Sequence, residues 1–85
     1  MYKQAAYNLA IGMTVGQLID EKKVQRETIA EALDISELAI PHIERGGEAL
    51  TAGGLILLLE IFAISWDDFL ARVKANLAEA QKQIT

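Results

Sequence analysis

The chain contains no cysteine, which excludes a disulfide framework, a thiolate metal site and a cysteine nucleophile. It has one proline, one histidine, and only one Trp, two Tyr and two Phe in 85 residues. A lone histidine leaves no carboxylate–histidine metal spacing, and no glycine-rich phosphate loop occurs. Asp67 and Asp68 are neighbours on an expected helix, so their carboxylates diverge and cannot flank one substrate. The sequence therefore offers no catalytic constellation, no cofactor motif, no metal site and no evident small-molecule site. Positive charge is scarce as well: eight Lys and Arg stand against twelve Asp and Glu, a net charge of −4. Duplex binding rests largely on neutralising phosphates, so this balance lowers the expected affinity for nucleic acid, although only the local face decides it. No charged-then-apolar leader opens the chain. The longest apolar run, residues 49–66, holds a single charge, Glu60. A membrane span needs about 20 mostly apolar residues. Glu60 near the middle, Gly53 and Gly54 near the start and a break at Ser65 instead favour a buried helix followed by a tight turn. With no cysteine and no leader, a cytoplasmic setting is expected.

What is present is helical periodicity. A chain of 9.3 kDa makes one domain and buries about 63% of its unfolded surface, which gives a modest core that dimerisation would support. We divide residues 1–85 into a lead (1–13) open to a short helix or an arm, a five-helix core (14–70) and an extension of the last helix (71–85). Gly12 loosens the chain, and Thr14 is placed to cap a first main helix ending near Lys23. Ile11, Val15, Leu18 and Ile19 share one face of it. A second helix is expected over 26–33, a third over 37–45, a fourth over 52–63 and a fifth from Ser65 onward. Asp67 and Asp68 fall in that last helix's first turn, where carboxylates favour the positive helix end. Trp66, Phe69, Leu70, Val73, Leu77, Ala80 and Ile84 recur at three- and four-residue spacing along it. Such a stripe, running beyond the core, calls for a partner. Trp66, Phe69, Val73, Leu77 and Ile84 are accordingly the candidate homodimer interface.

The informative segment is residues 26–45, RETIAEALDISELAIPHIER. Ile29, Ala30 and Leu33 line the inner face of one helix, and Ile40 and Ile43 that of the next. Small Ala30 suits the close approach of two steeply crossed helices. Asp34 tolerates the left-handed backbone that the turn demands. Ser36 stands where its hydroxyl can cap the following helix. IAEALDIS, then IERG at 43–46, then LLLEIFAISWDDFL at 57–70, recur in register. Together they resemble the helix–turn–helix of the xenobiotic-response-element family of bacterial and phage repressors, the Cro and lambda-repressor type, over roughly residues 12–70.

The resemblance implies an all-α, five-helix lambda-repressor-like DNA-binding domain with an extended C-terminal helix. It also implies a dimeric, non-enzymatic transcription regulator acting on double-stranded DNA. Carried over by position, the groove-facing residues are Ser36, Glu37, Leu38, Pro41 and His42, with Arg26 and Arg45 as phosphate contacts. Glu37 could accept from a cytosine amino group and Leu38 could touch a thymine methyl. Lys22 and Lys23 are weaker candidates, since a lysine pair at a helix end commonly only compensates the dipole. Trp66 and Phe69 read as core or dimer residues rather than base-stacking groups.

Three features depart from the family pattern. Pro41 lies inside the expected third helix, where it lacks an N–H and crowds the preceding turn. A late helix start, a 3₁₀ turn or a kink would each accommodate it. The loop after the third helix, Gly47, Glu48, Ala49, Leu50, Thr51, lacks the expected bases, leaving the Gly46 and Gly47 amides for phosphate. Glu44 has apolar Ile19 where the family places a basic partner, so Lys22, Lys23 or water is left to meet it. These departures keep a second reading open: a helix–turn–helix used as a protein-interaction module, antitoxin-like or polymerase-binding.

Overall fold

The computed structural model describes residues 2–84, and among them every regular element is helical. The order is α1 (Gln4–Lys22), α2 (Arg26–Leu33), a 3₁₀ turn (Glu37–Ala39), α3 (Ile40–Glu44), α4 (Ala52–Phe62) and α5 (Trp66–Ile84). No helix is long and apolar enough to cross a membrane.

Helices α1 to α4 end in the same way. The residue after each C-cap region turns into the left-handed conformation at Lys23, Asp34, Gly46 and Ala63. The next amide then reaches back five residues: Val24 to the Ile19 carbonyl, Ile35 to Ala30, Gly47 to His42 and Ile64 to Leu59. This is the Schellman arrangement, which satisfies carbonyls that the helix end leaves free. Side chains perform the same service at helix starts. Ser36 Oγ accepts from the Leu38 amide at 3.2 Å, Thr51 Oγ1 from Gly54 at 3.0 Å and Ser65 Oγ from Asp68 at 3.1 Å. The expected turn at Asp34 and the caps at Ser36 and Ser65 are all observed.

Of the two forms open to the N-terminal lead the helix is observed, but not as a separate one. The lead is helical from Gln4 and continuous with the first main helix, so α1 has 19 residues; Met1 lies outside the described residues. Gly12 does not loosen it. A β-carbon at Gly12 would overlap the backbone carbonyl of Ile43, so glycine is there to let α3 cross α1 closely. Thr14 does not cap a helix either. It is fully buried in mid-helix, and its hydroxyl donates to the Ala10 carbonyl at 2.8 Å.

The longer α1 supplies what the α5 stripe was expected to find in a partner. Phe69, Val73, Leu77 and Ala80 are buried in the chain's own core together with Ala6, Leu9, Ala10, Val15 and Leu18. Phe69, Val73 and Leu77 are therefore not available as a dimer interface. Only Trp66 (51% exposed) and Ile84 (42%) of that group reach the surface. They stand at opposite ends of a 19-residue helix, roughly 27 Å apart. Trp66 stacks on Phe69 with ring centroids 6.4 Å apart.

Polar contacts register α5 on α1. Asn76 Nδ2 donates to Thr14 Oγ1 at 3.0 Å and to Gln17 Oε1 at 3.0 Å, while Gln17 Nε2 donates back to Asn76 Oδ1 at 3.2 Å. Arg72 grips the Glu21 carboxylate with two nitrogens, at 2.5 and 2.9 Å. Hydrogen bonding from Arg72 holds the Glu21 carboxyl below its ordinary value, and the same bond raises Arg72.

Candidate nucleic-acid interface

Residues 34–45 follow α2 as a left-handed turn, a 3₁₀ turn and the short helix α3. Asp34 turns the chain with φ 55°, and Ser36 caps the 3₁₀ turn that follows. Pro41 falls in the first turn of α3. The sequence left three ways to accommodate it, and two are combined here. A 3₁₀ turn precedes the helix, and the helix starts late enough that the missing proline N–H is one the first turn leaves free anyway. The cost is length: α3 has five residues.

Ile40 and Ile43 are buried and anchor this segment. Ser36, Glu37, Leu38, Pro41, His42 and Arg45 are exposed, Leu38 at 81%. Leu38, Pro41, His42 and Arg45 follow helical spacing, so they form one outward stripe opposite the two isoleucines. All the groove-facing candidates thus lie at the surface on adjoining positions of one segment.

The residues expected to meet phosphate fare differently. Arg26 is tied down: its Nη2 donates to Glu44 Oε1 at 2.7 Å. Glu44 therefore meets neither Lys22, Lys23 nor water alone. It lies over Gly16 of α1, where a β-carbon would come within 3.0 Å of its carboxylate, and it reaches across to the start of α2. Ile19 is buried in the core. The first-helix ion pair is absent, as expected; the correction is that Arg26 of the second helix, and not Lys22, Lys23 or water, meets Glu44. One guanidinium nitrogen is committed, while Arg26 keeps further N–H donors.

The amides of Gly46 and Gly47 are also committed. Gly46 donates to the Ile43 carbonyl at 3.0 Å and Gly47 to His42 at 2.8 Å. Gly46 has φ +73°, and a β-carbon there would meet the Leu9 backbone. These two glycines close the turn against α1 and offer no amide to a phosphate, contrary to expectation. Arg45 remains exposed with no ion pair described. Glu27, Glu31, Asp34, Glu37 and Glu48, all within residues 27–48, are exposed acids. Lys22 and Lys23 lie at the C-terminal end of α1, with Lys22 in its last turn.

Among the described residues no three His, Asp or Glu side chains gather as metal ligands. Sequence reading missed the Arg26–Glu44 pair because its ends are 18 positions apart on different helices. It also missed the role of Gly12, which only the crossing of α3 reveals. Comparison with protein-family models, with curated proteins and with solved structures found no match.

Proposed function

We propose that this chain is a DNA-binding transcription regulator that lays residues 37–44 in the major groove of an operator. The observation that carries the reading is the exposed stripe Leu38, Pro41, His42 and Arg45 on a capped turn anchored by Ile40 and Ile43. A rigid element with outward side chains is what base-edge reading needs. His42 donates or accepts at a purine edge, Glu37 accepts from a cytosine amino group, and Leu38 covers a thymine methyl. Arg26, steadied by Glu44, and Arg45 hold the two flanking phosphates. A cytoplasmic bacterial or phage repressor that blocks a promoter fits this arrangement.

So few cations make the electrostatic contribution small. Each neutralised phosphate contributes a slope of about −0.9 in log K against log salt. Two arginines therefore give a slope of about −2, shallow for a duplex binder. A salt titration against a random-sequence duplex tests the proposal. Weak binding at low salt with that slope is expected. Arg26→Ala and Arg45→Ala should each weaken binding to all sequences alike and flatten the slope by about 0.9. No binding to random or selected duplexes at low salt overturns it.

One observation favours a second reading, a protein-interaction module. Residues 27–48 expose five acids, and both glycine amides are consumed by the turn. A basic protein surface would meet those acids more readily than phosphate does.

A further inference from the structure

Helix α4 leaves apolar side chains in water that its own chain does not cover. Ile56 is 60% exposed and Leu57 42%. With Gly53 and Glu60 they fall at i, i+3, i+4 and i+7, one stripe on one face. An apolar groove of about 290 Å³ opens alongside, lined by Leu33, Ile35, Ile43, Leu50 and Leu57. The neighbouring Gly54 has an explanation within the chain, since a β-carbon there would press on Leu33 Cδ2 and Thr51 Oγ1 at 3.1 Å. Gly53 has none. Nothing lies within 4 Å of a β-carbon at that position, in the first turn of α4.

We propose that this face is a homodimer interface, in which two copies pair α4 antiparallel about a two-fold axis between Ile56 and Leu57. The stripe is self-complementary in that register. Ile56 and Leu57 meet their symmetry mates at the centre. Gly53 of one copy faces Glu60 of the other, and the bare glycine gives that longer side chain room. Charge matches too. Thr51 already serves the Gly54 amide, and the first amides of α4 present the positive end of the helix. Glu60 is the only charged residue on α4, and the antiparallel crossing brings it to that positive end. A parallel crossing would instead set Glu60 against Glu60. The second copy is favoured over an unrelated partner because both halves of the match lie on one helix.

A face of about two helical turns falls below the roughly 1,200 Å² at which stable interfaces begin, so the dimer is reversible. The pairing does not rest on the duplex reading, and either can fail without the other.

Sedimentation equilibrium of the full chain over roughly 10 µM to 1 mM tests it. A concentration-dependent monomer–dimer equilibrium is expected. Ile56→Asp should be monomeric throughout, with helical circular dichroism unchanged because the site is exposed. Gly53→Leu should melt no lower than the parent chain yet lose association, since the monomer has room for the side chain and the dimer has none. The absence of cysteine makes single-cysteine variants clean reporters of register. Ile56→Cys should form a disulfide-linked dimer under mild oxidation. Gly53→Cys should not, because antiparallel mates lie about 10 Å apart along the helix, beyond the roughly 7 Å that a disulfide spans. A chain monomeric at every concentration overturns the proposal. So does a dimer that survives Ile56→Asp, or one that Gly53→Cys cross-links as readily as Ile56→Cys.

Discussion

Gly12 shows how one residue can fix the attitude of the exposed α3 segment. Its α-hydrogen faces the Ile43 carbonyl at the α1–α3 crossing, so α3 is seated directly on the α1 backbone. Ile43 is the inner anchor of the outward stripe, and any lift at the crossing moves that stripe. Gly12→Ala adds one methyl with nowhere to go, because the obstacle is backbone and cannot rotate aside. We expect it to cost about 3 kcal/mol, at the upper end for overpacking, despite alanine's better helix propensity. Urea denaturation of the variant checks this; a change below about 1 kcal/mol would mean that α3 shifts freely on α1. The left-handed positions carry a related lesson. Lys23, Asp34 and Ala63 each hold a positive φ without being glycine, at roughly 1–2 kcal/mol each. Only Asp34 was legible as a turn from the sequence, because only its side chain is a known tolerator of that backbone. Lys23 and Ala63 are forced into it by the need to close a helix end and reverse the chain.

At the scale of elements, the sequence revealed which faces are apolar but not what covers them. The capped starts at Ser36 and Ser65 and the turn at Asp34 were legible because capping is local chemistry written within four residues. The α5 stripe was legible as a stripe. Its partner was not, because periodicity carries no address. Reading Gly12 and Thr14 as local signals shortened α1 by ten residues, and the missing ten residues are those that cover the far half of α5. Thr14 and Gln17 meet Asn76 only after the two helices pack. The Arg72–Glu21 clamp at the other end of this pairing gives a prediction. A carboxyl held below its ordinary value contributes stability above the unfolded value, and that contribution disappears as pH falls through the folded value. Arg72→Ala should therefore move Glu21 titration up toward 4.5. It should also remove the part of the acid-side loss of stability that lies below the ordinary carboxylate range. Carboxyl carbon shifts followed by NMR during an acid titration check this. An unmoved Glu21 would mean that the clamp is not formed in solution.

For the whole molecule, the decisive quantity is where its few positive charges stand. Net charge is −4, and of the two candidate arginines, Arg26 and Arg45, Arg26 is already paired with Glu44. The composition made the deficit plain; the pairing of Arg26 was not visible, since it depends on how α2 and α3 cross. If the stripe meets a duplex, the loop after α3 lies where a phosphate would pass, and Glu48 is exposed there. Reversing that one charge is then the most economical test of the docking geometry. Glu48→Lys removes a repulsion and adds one neutralised phosphate, so log K against log salt should steepen by about 0.9. Affinity should rise most at low salt and converge with the parent chain at high salt, because screening shortens the reach of an exposed charge. Glu79→Lys, an equal change in net charge on the exposed surface of α5, separates local from global effects. If both variants bind alike, the field of the whole chain governs association and no particular face is assigned. If Glu48→Lys alone steepens the slope, the α3 face is the one that meets the phosphates.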